Sequence, residues 1–269
     1  MCGRFVLENI DTIFPRFRIQ GSEDFMGNIK PRYNISPSHY VYIISRNANQ
    51  ENILEMMKWG LVPSWSKDPK MGNRMINARV ETVAIKPSFK HILKTNRCLV
   101  PCSGFYEWKT VDKRKVPYYI GLKNSKTFCL AGLYDIWTDS DGNNLKTFTI
   151  ITTQPNNTLK PIHSRMPVIL HEELEDQWLN TKTQDPDSIM RLVEQARYES
   201  LFIIMMLECP NEVKVELEFS ENVFKDIQQH RPEIVSKVQD MLDHKWIESE
   251  KAQRDLGGAA LVDWILKYD

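Results

Sequence analysis

Glycine is scarce in this chain, with 11 among 269 residues, and neither a phosphate-binding loop nor a dinucleotide fingerprint can be found. Long hydrophobic runs are also missing. The strongest, residues 201–207, is far shorter than the roughly 20 residues of a membrane-spanning helix. The amino terminus lacks the basic-then-apolar pattern of a signal peptide, and the five cysteines are an odd number. We therefore expect no membrane association, reduced thiols and a cytoplasmic location.

Metal-ligand spacing is absent as well. The histidines show no ligand spacing with one another, and Cys98 and Cys102 have no second pair nearby. Buried thiols are the preferred interpretation of these two cysteines. No metal site and no cofactor are predicted.

Net charge is zero, with 35 Lys+Arg against 35 Asp+Glu, but the charges are unevenly placed. Residues 1–180 hold 24 basic and 17 acidic residues, a net of +7, whereas residues 181–269 hold 11 basic and 18 acidic, a net of −7. With 42% hydrophobic and 26% charged residues, the composition is that of a soluble globular protein. A basic part within a neutral chain favours a polyanionic partner.

Short β-type runs separated by turns dominate the first two thirds of the chain. Strands are predicted at 40–45, 54–59, 98–101, 104–109, 118–122, 128–133, 146–153 and 167–170. Helices are predicted at 9–16, 87–94, 172–179 and 187–199. Strands at 201–207 and 212–219 should follow, and from residue 222 onward the pattern is helical.

Cys2 follows the initiator methionine, and because it is small we expect methionine aminopeptidase to expose its α-amino group. An amine and a thiol on adjacent carbons can close on an aldehyde as a five-membered thiazolidine. Both groups titrate near pH 8, so their reactive forms are accessible around neutrality. Taken alone, however, a second-position cysteine is more often incidental.

The other candidate catalytic residues are polar residues inside apolar runs. Residues 76–82 alternate polar and apolar side chains in a β-like segment, and Glu107 is surrounded by aromatic residues. If Glu107 is buried, desolvation should raise its pKa and suit it to proton transfer near pH 7. The alternative is a half-exposed strand with Glu107 facing water. His163, beside Arg165, suits proton transfer or oxyanion stabilisation, but a lone histidine is more often a surface or packing residue.

Basic and aromatic residues are interleaved before residue 100. This pattern suits phosphate contacts combined with base stacking, or alternatively a solvated basic face with structural tryptophans.

Six segments, taken together, resemble the SRAP (SOS response-associated peptidase) family of abasic-site processing proteins. They are MCGRF (1–5), RYNISP (32–37), WGLVPSW (59–65), INARVET (76–82), GFYEW (104–108) and IHSRMP (162–167).

The resemblance implies an α+β fold with a curved antiparallel β-sheet or barrel core and peripheral helices. It covers roughly residues 1–180. We expect a catalytic, DNA-binding domain over residues 1–220 and an acidic, helical C-terminal extension over 221–269. Residues 201–219 show no clear match to the segment that closes the family's domain.

The resemblance also implies the chemistry. Mature Cys2 would link covalently, through a thiazolidine, to the ring-opened aldehyde of an abasic site in single-stranded DNA, and the family is associated with autoremoval of Met1. Glu107 would be the general acid and base. His163 would stabilise the opened sugar oxygen, and Asn77 would hold the Cys2 amino terminus or the sugar.

The implied partner is single-stranded DNA that carries abasic sites, including single-strand to duplex junctions, and the implied state is a monomer without a cofactor. The implied location is the nucleoid, or the nucleus in a eukaryote. The implied DNA-binding residues are Arg4, Asn34, Trp65, Arg79, Thr152 and Arg165.

Two other functions remain open at this point. One is a thiol peptidase with Cys2 as nucleophile and Glu107 or His163 as base. The other is a non-catalytic module that binds single-stranded DNA or protein. For the acidic extension, competition with DNA and a simple stabilising cap are both open.

Overall fold

Thirteen strands, six α-helices and one 3₁₀-helix make up the parts of the chain that the computed structural model describes, which are residues 2–8, 12–19, 29–111, 114–123, 125–196 and 201–205. The strands are β1 Arg4–Leu7, β2 Arg32–Ile35, β3 Tyr40–Arg46, β4 Asn52–Trp59, β5 Asn77–Arg79, β6 Arg97–Cys102, β7 Gly104–Val111, β8 Arg114–Leu122, β9 Phe128–Thr138, β10 Asn144–Thr153, β11 Met166–Pro167, β12 Ile169–Leu170 and β13 Leu201–Met205. The helices are α1 Ile13–Phe17, α2 Val80–Val83, α3 Pro87–Lys90, α4 Ile92–Thr95, α5 Glu172–Leu179 and α6 Pro186–Gln195, and the 3₁₀-helix is Pro69–Arg74.

Five strands close into a barrel. Going round, β4 pairs with β3, β3 with β6, β6 with β9 and β9 with β10, all antiparallel. The ring closes where β10 pairs in parallel with β4, with Phe148 opposite Trp59. The two rings stack at 6.2 Å with an interplanar angle of 14°. Closure removes the free edges that an open sheet of these strands would expose.

A second sheet of five strands has the order β13-β8-β7-β1-β2. Phe5 on β1 packs against Trp59 with ring centroids 5.2 Å apart, so this sheet and the barrel share one hydrophobic core. β1 lies inside the sheet, antiparallel to both β2 and β7. The start of the chain is therefore held on both sides by backbone hydrogen bonds.

The α+β fold with a barrel-like core is confirmed, and the predicted strands up to residue 153 match observed ones with differences of up to five residues at their ends. The single strand predicted at 167–170 is instead two short strands, β11, which pairs with β10, and β12, which pairs with β9. The segment 76–82 differs: its strand ends at Arg79, and Val80–Val83 form a short helix. Strands β1 and β2 were not predicted, because four-residue strands are too short to show a clear period. The predicted elements at 212–219 and in the extension 221–269 lie outside the described residues.

No helix within the described residues is both long and apolar enough to cross a membrane.

The connection that follows β4 depends on a close approach of two glycines. Gly60 has φ +122°, and a Cβ placed on it would lie 2.7 Å from the carbonyl oxygen of Gly72. Gly142, in the turn between β9 and β10, also has a positive φ of +85°, but nothing lies within 4 Å of its Cβ position. The two glycines thus share a positive φ and differ in available space.

We expect Gly60→Ala to lower the free energy of unfolding by about 3 kcal/mol, because backbone strain and a backbone clash add together. Gly142→Ala, the matched control, carries the strain alone and should cost about 1 kcal/mol. Urea unfolding of both variants measures the difference. Equal losses would contradict the close approach of Gly60 and Gly72.

Candidate functional site

Cys2 lies two residues before β1, with its side chain fully buried. The side-chain amide of Asn77, on β5, donates a hydrogen bond of 2.9 Å to the Cys2 carbonyl. β5 itself is held by its parallel pairing with β10, which places Asn77 opposite Ile150. The first residues of the chain are thus tied both to the second sheet and to the barrel.

The other amide atom of Asn77 is available for a ligand. Its Oδ1 is buried and has no hydrogen-bond partner among the described residues. A buried acceptor without a partner costs free energy, so it is a natural site for an N–H or O–H donor on a bound molecule.

Glu107 approaches the same point from β7. Arg4 lies opposite Tyr106, so the antiparallel register carries Glu107 toward the first residues of β1. Its side chain is only 2% exposed. Burial raises the pKa of the carboxyl, against the opposing positive charges of the amino terminus and His163. Of the two interpretations left open by the sequence, the buried carboxyl is the one observed.

The Cys2 thiol responds to the same surroundings. Burial raises its pKa well above the ordinary value, and the nearby Glu107 carboxylate raises it further. The thiol is therefore protonated at neutral pH. Forming a thiolate at this position requires a base that takes the thiol proton during the reaction.

His163 completes the group. Its Nε2 is 3.9 Å from Oε2 of Glu107, and its side chain is about a quarter exposed, at 26%. The backbone nitrogen of Arg165 is 3.1 Å from its Nδ1. The same Nδ1 is 3.2 Å from the Arg165 carbonyl oxygen, so the backbone of Arg165 holds the ring at Nδ1 whichever ring nitrogen carries the proton. The imidazole thus presents Nε2 toward Glu107.

Arg165 is buried, with 8% of its surface exposed. Its guanidinium forms a two-point pair with the carboxylate of Glu81 and also donates to the Thr152 carbonyl at 2.6 Å. Thr152 itself is fully buried. Glu81 was quoted in a motif but assigned no role from the sequence, since a carboxylate in a β-like run carries no sign of its partner.

The remaining predicted DNA-binding residues lie in different elements of the fold. Arg4 donates to Oδ1 of the buried Asn34 at 2.6 Å, linking β1 to β2. Arg79, at the end of β5, is exposed. Trp65 is 58% exposed, an unusual degree for so large an apolar side chain.

The loop that carries Trp65 is anchored on both sides of it. The backbone N–H of Ser64 donates to Oδ2 of Asp135 at 2.8 Å. The indole N–H of Trp137 donates to the carbonyl of Ser66 at 2.7 Å. Trp65 is therefore displayed on a loop fixed to β9, which is the arrangement expected of a stacking residue.

The structure brings Cys2, Asn77, Glu107 and His163 together at one point, although they come from four distant segments. Among the described residues, no group of three or more His, Cys, Asp or Glu side chains could hold a metal ion. Cys98 and Cys102 are buried free thiols, as the sequence analysis preferred.

A comparison with protein-family models matches residues 1–209 to the family described as SOS response associated peptidase (SRAP). Curated proteins related to this chain are similarly named. "Abasic site processing protein YoqW" of Bacillus subtilis is 47% identical over 198 residues, which cover 72% of this chain and 87% of that protein. "Abasic site processing protein YoaM" of the same organism is 42% identical over 229 residues, covering 82% and 99%.

Solved structures include a similar fold. A crystal structure of a protein from Bacteroides thetaiotaomicron superimposes with a TM-score of 0.67 at 27% identity, covering 81% of this chain and all of the other.

Replacing the buried Glu107 by glutamine should stabilise the protein near neutral pH. Because the pKa of Glu107 is raised by folding, the folded state binds the proton more tightly than the unfolded state. Stability is therefore lost as pH rises from the unfolded-state pKa of about 4.3 through the folded-state pKa. We expect Glu107→Gln to raise Tm by a few degrees at pH 8, with a smaller gain toward pH 4.5.

Thermal unfolding followed across this pH range measures the effect. Glu173→Gln, on the exposed face of α5, is the control and should leave Tm nearly unchanged. If the increase in Tm caused by Glu107→Gln did not vary with pH, this would contradict a raised pKa for Glu107.

Proposed function

This chain belongs to the SRAP family, and we propose that it is an abasic-site processing enzyme that links its mature amino-terminal cysteine to the lesion. The substrate is the ring-opened aldehyde of an abasic site in single-stranded DNA. The product is a thiazolidine crosslink that shields the lesion.

The observation that carries this proposal is the convergence at Cys2. A residue with a thiol and, once Met1 is removed, a free α-amino group is fixed by Asn77 beside a buried carboxyl. An imidazole lies 3.9 Å from that carboxyl. When reacting groups are already held in a fixed geometry, much of the entropy cost of bringing them together is removed from the reaction.

Removal of Met1, whether by an aminopeptidase or by the protein itself, must come first, because only then is the amine free. The Cys2 amine then adds to the aldehyde carbon, and the resulting carbinolamine loses water to give an iminium ion. Protonated Glu107 donates a proton to the departing hydroxyl. Burial raises the pKa of this carboxyl, which favours the protonated form that this step uses.

Ring closure returns the proton. The Cys2 sulfur adds to the iminium carbon, the thiol proton passes to the Glu107 carboxylate, and the thiazolidine is complete. Amine, thiol and aldehyde are consumed, one water is released, and Glu107 ends in its starting form. The thiol, which is protonated in the resting site, thus loses its proton only when the electrophile is in place.

His163 serves the preceding step. An abasic sugar is mainly a closed hemiacetal, and opening it transfers a proton to the ring oxygen. His163 Nε2 lies 3.9 Å from Glu107 Oε2, so we assign the imidazolium form of His163 as the acid for that oxygen, while the Glu107 carboxylate takes the proton of the C1 hydroxyl. Reversal of the crosslink uses the same two proton carriers in the opposite order.

We assign the DNA path to the exposed Arg79, to Arg4 beside Asn34, and to Trp65 as the residue that stacks or wedges at a strand junction. Thr152 and Arg165 complete the set expected from the family. The protein would act as a monomer in the cytoplasm, at the nucleoid. Residues 1–220 would form the catalytic domain and 221–269 an appended acidic extension.

A denaturing gel tests the proposal. Wild-type protein, with Met1 removal verified by intact mass, is mixed with a single-stranded oligonucleotide that contains one abasic site. Without a reductant, we expect an adduct that survives denaturation from the wild type and none from Cys2→Ala or Cys2→Ser. Both variants retain the amine but lack the thiol, so each should give an adduct only after borohydride reduction of the imine.

Other outcomes point to the other functions. Absence of any wild-type adduct would overturn the proposal. Turnover of added peptides would indicate a thiol peptidase, and equal retention of intact and abasic DNA without an adduct would indicate a simple binding module.

Arg79→Ala should weaken binding of any single-stranded sequence and should reduce the salt dependence of log Kd by about 0.7, the value for one phosphate contact. Fluorescence anisotropy at several salt concentrations measures the slope. Arg191→Ala is the control, since Arg191 is exposed and hydrogen-bonds Ser188 on its own helix. An unchanged slope in Arg79→Ala would remove Arg79 from the DNA path.

A further inference from the structure

We infer that the cavity between α2 and α6 binds the nucleobase next to the abasic site, and that it prefers a base with an amino group. The inference rests on the proposed function, because the strand that carries this base is the strand that carries the lesion. It adds recognition of a neighbouring base to a site whose own nucleotide has none.

The floor of this cavity suits a flat aromatic ring. The cavity has a volume of about 480 Å³, which lies within the roughly 300–1,000 Å³ of small-ligand sites. Its floor consists of apolar side chains that are buried or half-buried: Val80, Met166, Met190 and Val193. Methionine side chains adapt to the shape of a ligand, and their sulfur makes favourable contacts with aromatic rings. A ring that lies on this floor would therefore exchange water for apolar contacts.

The rim of the cavity is rich in hydrogen-bond acceptors. Its members are exposed side chains: Glu81, Gln154, Asn157 and Glu194. The two carboxylates only accept hydrogen bonds. Glu81 is paired with Arg165, whereas Glu194 has no ion pair within the part of the chain that the structure describes.

Such a rim distinguishes between bases. Carboxylate and amide side chains are the groups that recognise the amino groups of cytosine and adenine. Thymine has no amino group and presents a methyl group instead. The acceptors on the rim therefore favour an amino-bearing base over thymine.

The cavity adjoins the proposed DNA path. Val80, which lines it, directly follows Arg79 in the chain. Thr153 also lines the cavity and follows Thr152, which the parallel pairing of β5 with β10 places opposite Arg79. A nucleotide whose phosphate lies at the exposed Arg79 thus has the cavity beside it.

Charge decides which part of that nucleotide enters. The carboxylates of Glu81 and Glu194 repel a phosphate, whereas the guanidinium of Arg79 attracts one. The backbone therefore stays at Arg79 and the base turns into the cavity. Because an abasic sugar has no base of its own, the bound base belongs to the neighbouring nucleotide.

Fluorescence anisotropy of the wild-type protein with single-stranded DNA tests the inference. The DNA carries tetrahydrofuran in place of the abasic sugar, so no aldehyde is present and no crosslink forms. All bases are thymine except one neighbour of the lesion, which is adenine or the same purine ring without its amino group. On one side of the lesion, we expect Kd to be about fivefold lower or more with adenine, a modest value for a specific base contact. Equal Kd values for the two bases on both sides would overturn the inference.

Two variants connect this preference to the cavity. Met190→Trp fills the floor and Glu194→Ala removes an acceptor from the rim, so each should reduce the ratio of the two Kd values to about twofold or less. Gln195→Ala is the matched control, since Gln195 is exposed on the same helix and does not line the cavity. It should keep the wild-type ratio.

Glu194→Ala decides the matter even if circular dichroism shows that Met190→Trp does not fold, because Glu194 is exposed. An unchanged ratio in Glu194→Ala would overturn the inference. So would a change of both Kd values by the same factor, which would show that Glu194 acts only through its charge.

The two proposals fail separately. An adduct with reactive abasic DNA, together with equal Kd values for adenine and purine, would support the proposed function and overturn the base-binding cavity. A preference for adenine without any adduct from reactive abasic DNA would support the cavity and overturn the proposed function.

Discussion

The hydrogen bond from Asn77 to the Cys2 carbonyl is the contact on which the site depends. Chain ends usually fray, because few contacts hold them. Here the segment is fixed, since β1 pairs with β2 and β7 and Asn77 ties Cys2 to β5 and the barrel. A terminal amine and thiol can act together as a reagent only if both stay in place while a substrate arrives.

Burial of that end costs stability and supplies the chemistry. A carboxyl without water around it holds its proton more tightly, and a thiol beside it does the same. Burial thus shifts the pKa of both Glu107 and Cys2 in the direction of the protonated form. In the proposed reaction, this keeps the thiol protonated until the substrate is bound.

The positive charge that first suggested a nucleic-acid partner divides into two kinds in the folded protein. Arg79 is exposed, whereas Arg165 is buried and paired with Glu81. A count of basic residues does not separate them, because the difference lies in what each guanidinium contacts. The net +7 of residues 1–180 therefore overstates the positive charge at the surface.

The sequence by itself determined the strand-rich pattern, the α+β class and the family, and it predicted Cys2, Glu107 and His163 as reactive residues, since these depend on local periodicity and on residue types at motif positions. It did not determine that β10 closes the barrel against β4, that β1 is an inner strand, or that Glu107 is buried. Nor did it reveal Glu81 as the partner of Arg165, 84 residues away. Those features follow from contacts between distant segments, and only the tertiary structure decides which side chains lose water and which ones meet.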